Sequence, residues 1–156
     1  MSPDQPAVSV SPADIAAAAL AATAVPTESD TADAMAQLAD VAGHASTVLF
    51  NYRRNNPGAA DLDRALNLEM VLDQRAIDLR VQAVKVLGAQ ADEALAQLKD
   101  ASRKVDDFLA GVTKIEGRLV IASAVIGLAS AALVGDAGGV LSAVVGVHTA
   151  LKAAGG

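Results

Sequence analysis

Apolar residues recur along most of this chain at alternating spacings of three and four, the period of one helix face. The first run joins Thr31, Met35, Leu38, Ala42, Ala45, Leu49 and Tyr52. Ser29 and Asp30 precede it as candidate N-caps, and the run lasts to Asn55, about 39 Å of helix. Val41 and Val48 widen the stripe, which suits a bundle face rather than a thin two-stranded coil. Asn56-Pro57-Gly58 then interrupts it. Asn56 can cap a new helix with Pro57 at its first position, and so short a turn makes the next helix an antiparallel neighbour.

That next helix dominates the pattern. Between Ala60 and Gly117 there is no proline, and only Gly88 and Gly111 weaken the periodicity. Val84, Leu87, Ala91, Ala94, Leu98, Ala101, Val105, Phe108, Val112, Ile115 and Leu119 keep the three–four alternation without a break. Upstream the stripe shifts to Leu68, Leu72, Ala76, Leu79 and Ala83, a local change of register. Because the seam stays in phase across Gly88, it predicts one continuous helix of about 87 Å, with Gly88 as the place where it would break. A helix that long outruns its partner. Val84, Leu87, Leu98, Val105, Phe108, Val112 and Ile115 then lack a partner of matching length in the first helix, so this half must fold back, use the N-terminal arm or pair with another copy, and the last predicts a homo-oligomer.

The last segment changes character. Leu119 to Gly135 carries no charge, Asp136-Ala137-Gly138-Gly139 reads as a turn, and Val140 to Leu151 is uncharged again. Two apolar helices of this kind form a hairpin whose first arm reaches about 25 Å, just short of a hydrocarbon core of about 30 Å. Lys114, Arg118 and Lys152 lie at its open end and only Asp136 at its tip, as in a hairpin with both ends on the positive side of a membrane. Leu119 and Ile121 favour lipid. Small residues recur at every fourth position, through Ser123, Gly127, Ala131, Gly135 and Gly139 and again through Ser142, Gly146 and Ala150. Such ladders let helix backbones approach closely in lipid. The same residues also fit a hairpin buried between copies of a soluble assembly. The expected fold is all-α: a flexible acidic arm at 1–29, a coiled-coil-like antiparallel hairpin with one very long helix at 30–117, and an apolar helical hairpin at 118–156. Within the arm, Pro12 to Ala24 can form a short helix.

Composition sharpens this reading. Apolar residues make up 53% of the 156, yet the aromatics are only Phe50, Tyr52 and Phe108. A core of Ala, Leu and Val favours helices over strands. The absence of cysteine excludes disulfides, thiolate metal sites and a cysteine nucleophile. The net charge is −6, and residues 1–52 contain no Lys or Arg, so no basic face is available for nucleic acid. The start also lacks the basic region of a cleavable signal peptide. Membrane association, or export by a dedicated apparatus, is the expected localisation, with a lipid membrane and further copies or another protein as partners.

Candidate chemistry is sparse. His44 falls on the outer side of the first helix, and His148 is a single titratable group in an apolar arm. Asp92-Glu93 and Asp106-Asp107 are adjacent carboxylates, which point about 100° apart on a helix and so do not form a catalytic pair. The glycines at 135, 138 and 139 lack the preceding strand and following Lys-Ser/Thr of a phosphate loop. Nothing assembles a nucleophile, a base and an orienter. The chain is expected not to be an enzyme and to use neither cofactor nor metal.

A long helical stalk running into a small-residue apolar hairpin resembles α-helical pore-forming toxins and type III translocators. That likeness spans residues 30–153 in architecture, and it implies a membrane-inserting role. The helix–Asn-Pro–helix unit at 31–100, with Asn56, Pro57, Leu62 and Leu66, is similar to type III secretion needle and inner-rod subunits, which implies assembly with further copies.

Overall fold

A computed structural model describes residues 26–111 and 114–155, which form five α-helices: α1 (Glu28–Asn55), α2 (Leu62–Val81), α3 (Ala91–Gly111), α4 (Ile115–Val134) and α5 (Ala137–Gly155). The expected Pro12–Ala24 helix and the seam residue Val112 lie outside the described residues. The fold is all-α, as the periodicity predicts, with α4 and α5 as a hairpin.

Helix α1 begins slightly before its predicted cap. Thr27 is the N-cap, its hydroxyl accepting from the Asp30 N–H at 3.0 Å, and Glu28 and Asp30 place negative charge on the first turn. At the other end Asn56 closes α1 rather than opening α2, its side chain donating to the Tyr52 carbonyl at 2.9 Å. Residues 56–61 form the turn, and α2 starts at Leu62, so Pro57 does not occupy a first helical position.

The 87 Å helix is not formed. Helix α2 ends at Val81, Gln82 is extended, and α3 starts only at Ala91. Within the linker Gly88 has φ +111° and Gln90 φ +66°, left-handed conformations that no helix interior accepts. Burial explains the break. A continuous helix would leave half of its apolar stripe wet, whereas folding back hides both halves in one chain, at about 25 cal/mol per Å² of apolar area. The seam that stays in phase across Gly88 is therefore two stripes joined by nine non-helical residues.

Four contacts between helices give their directions. Arg53 pairs with Glu69 and Arg80 with Asp40 (2.7 Å), so α1 and α2 run antiparallel. Gln37 reaches the Lys99 carbonyl at 3.2 Å and His44 meets Asp106 at 2.7 Å. One heptad along α1 thus matches one heptad along α3, and those two helices run parallel. The chain goes up, down, up, down, up. Helices α1, α3, α5 and α4 close a four-membered ring, and α2 lies over the groove between α1 and α4.

One core runs through all five helices. Its largest fully buried side chains include Leu38 and Leu49 from α1, Leu72 from α2, Leu98 and Val105 from α3, Ile121 and Leu128 from α4, and Val140 and Val147 from α5. Of the predicted oligomer seam, Leu98 and Val105 are buried inside the chain, and Val84, Phe108 and Ile115 are half-buried against the same core. Among its described residues only Leu87 stands largely in solvent. The seam finds its partner in α1 and α5, so an unmatched length of helix no longer argues for a second copy.

Candidate functional site

The C-terminal hairpin holds the feature that most needs a function. Both its helices are long enough and apolar enough to cross a membrane, at 20 residues for α4 and 19 for α5, about 30 Å and 28 Å. Their settings differ. Helix α4 packs against α1, α2 and α5, whereas among the described helices α5 packs against α3 and α4. In their most apolar windows 44% of α4 is buried but only 22% of α5. A helix that is apolar on every side belongs in an interior. For α4 the bundle supplies one; for α5 it supplies half.

The buried face of α5 is Ala137, Val140, Val144 and Val147, spaced by three, four and three. On α4, Leu119, Ile121, Val125, Leu128 and Ala132 enter the core. The small-residue ladders do not join the two arms. Ser123 and Gly127 on α4 and Ser142 and Gly146 on α5 are exposed, and no described atom comes within 4 Å of a Cβ built on either glycine. Ala131, Gly139 and Ala150 are half-buried. A spacing of four reports that residues share a face, and here the shared face turns outward. Val120, Val134 (80% exposed) and Val145 (63% exposed) stand out with them, giving an uncharged surface of small and branched apolar groups.

The tip is built more tightly than the sequence suggests. The turn is only Gly135 and Asp136, and Gly138 and Gly139 belong to the first turn of α5. Gly135 ends α4 in the left-handed region, with φ +81°. Asp136 caps α5 through a 2.8 Å bond from the Gly139 N–H to its carboxylate. Across from the tip lies the α2–α3 linker. The Leu87 N–H donates to the Gly135 carbonyl at 2.8 Å, and the Ala137 N–H donates to the Leu87 carbonyl at 2.9 Å, making a single parallel bridge. A Cβ on Gly135 would lie 2.3 Å from the Lys85 carbonyl oxygen, so only glycine fits there.

His148 lies half-buried on α5, and its Nε2 is enclosed without a hydrogen-bond partner among the described residues. His44, expected on the outer side of the first helix, meets Asp106 there and so joins α1 to α3. Their pairing depends on the helices being parallel, so no local pattern announces it. Asp100, between Arg103 and Lys104, is held below the usual carboxylate range by the hydrogen bonds those cations donate. Among the described residues no three His, Asp or Glu side chains converge where a metal ion could bind. Comparison with protein families, curated proteins and solved structures finds no match for this chain.

Proposed function

We propose that this chain is a non-enzymatic helical protein that engages membranes through the α4–α5 hairpin, in the manner of a pore-forming or translocator-type protein. The outer face of α5 carries the reading. It is a helix of spanning length, charge-free from Ala137 to Leu151, and only about a fifth of the residues in its most apolar window are fully buried by the bundle. The exposed cations Lys114 and Lys152 flank the hairpin at its open end, where anionic headgroups would meet them.

Gly146→Asp tests this directly. In water the new carboxylate points into open space, so the bundle should melt at the temperature of the parent. At the middle of a spanning helix an Asp costs about 2.5–3.5 kcal/mol, so vesicle binding by flotation should fall on the order of a hundredfold. Equal flotation of the two proteins would remove α5 from the membrane contact.

A second reading, assembly with further copies in solution, is favoured by α2. Leu66, Met70, Ile77 and Val81 form a stripe on its outer side and are 40%, 62%, 53% and 72% exposed. If that stripe is the contact, light scattering of the parent should give several copies per particle and Ile77→Lys should give one.

A further inference from the structure

We propose that the α2–α3 linker is a latch on the hairpin: the hairpin leaves the bundle for a membrane only after Leu87 releases Gly135 and Ala137. The inference rests on the membrane reading above and adds its control. The positively charged end of the hairpin is its open end, so the tip at Gly135–Asp136 is the part that has to travel. That tip is also where the linker grips it. The gripping strand joins α2 to α3, two helices that stay behind, so the hairpin is tied to the stationary part of the molecule.

The form of the contact suits release. Residues 84–87 alternate in extended fashion, with Val86 fully buried as an anchor while Lys85 and Leu87 face out. Leu87 holds the tip through two backbone hydrogen bonds, its side chain being 53% exposed. Opening the latch therefore gives up two hydrogen bonds that water can replace, and the Leu87 side chain, already largely in solvent, adds little to them. Each such bond shifts an equilibrium by roughly two- to tenfold, enough to hold a hairpin without locking it. The fit is close at the tip, where Gly135 admits the Lys85 carbonyl only because it has no side chain.

A chain without cysteine allows a clean test in the full-length protein. Leu87 and Asp136 are directly bridged, and neighbouring strands lie about 4.8 Å apart, within the Cα separation a disulfide accepts. The probe is dye release from phosphatidylcholine–phosphatidylglycerol vesicles by Leu87→Cys/Asp136→Cys, oxidised and then reduced. Both states share the same substitutions, so only the latch differs. We expect release from the oxidised protein to be at least about tenfold slower than from the reduced one. Leu87→Pro, which removes the donor to Gly135, should release dye several-fold faster than Leu87→Ala, which keeps it. Equal rates in the oxidised and reduced states, or for Pro and Ala, overturn the latch and leave the membrane reading standing. If neither the parent nor the reduced protein binds vesicles or releases dye, the membrane reading falls and takes the latch with it.

Discussion

Helices α1–α3 turn Asp, Glu, Lys and Arg to solvent and cross-link themselves with ion pairs. Helices α4 and α5, apart from Asp136 at the tip, turn out serine, glycine and valine from Val120 to Leu151. Both regions bury their inner faces in the same core, so packing does not distinguish them. Their outer faces do. A surface such as that of α1–α3 is what a helix needs to remain in water. The face of α5 lacks such charges and presents small groups in shallow relief, so on the membrane reading proposed above it has no charge to desolvate. The hairpin is also divided within itself, because α4 sits between α1, α2 and α5 while α5 closes the ring from outside. Moving the hairpin would empty the bundle of a core helix, which is why its attachment at Leu87 matters.

The largest expected effect follows from that division. Leu128 is fully buried on α4, and Leu128→Ala should lower the free energy of denaturant unfolding by about 2–5 kcal/mol. Val145 on the outer face of α5 is 63% exposed, and Val145→Ala should change it by less than about 0.5 kcal/mol. Comparable losses at the two sites would mean that α5 is covered in solution by something the bundle does not supply.

Much of this architecture was legible from periodicity, and the failures have physical causes. The end of α1 at Asn55 and the two hairpin arms follow from the three–four alternation, from Asn56-Pro57 and from the loss of charge after Arg118. The break after Val81 was not legible, because the apolar seam continues in phase through Val84 and Leu87 although those residues are not helical. The ladders at Ser123–Gly127 and Ser142–Gly146 showed that the residues share a face, but local spacing does not say whether that face meets protein, water or lipid. The grip of Leu87 on Gly135 and the pairing of His44 with Asp106 join residues far apart in sequence. They exist only once the direction of every helix is known.

Helix caps offer a smaller test, since the same chemistry starts a helix in each region. Thr27 caps α1 and Asp136 caps α5. Either alanine replacement should cost about 1 kcal/mol, within a range of roughly 0.5–2. The loss should be larger at Asp136. Gly138 and Gly139 already weaken the first turn of α5, by about 1 kcal/mol each against alanine, so that turn has less helix propensity to fall back on. Thermal unfolding followed by circular dichroism reads both losses. A greater loss at Thr27 would show that the tip is held by the linker rather than by its own cap.

The smallest effect concerns acid, and it should come from the charged region. Asp100 lies beside Arg103 and Lys104, with the Lys104 ammonium 2.9 Å from its carboxylate. The hydrogen bonds they donate hold its carboxyl below the usual value in the folded chain. A carboxyl that is more acidic folded than unfolded stabilises the fold above its unfolded value, about pH 4, and loses that contribution as the pH falls through its folded value. Stability should therefore drop slightly below about pH 4, and Asp100→Asn should flatten that part of the profile. The pair stands in solvent, where salt screens it, so raising the ionic strength should shrink the difference between parent and variant. A difference that survives high salt would mean that Asp100 acts through a contact other than these two cations, and the contrast between a charged, salt-sensitive half and an uncharged hairpin would lose one of its supports.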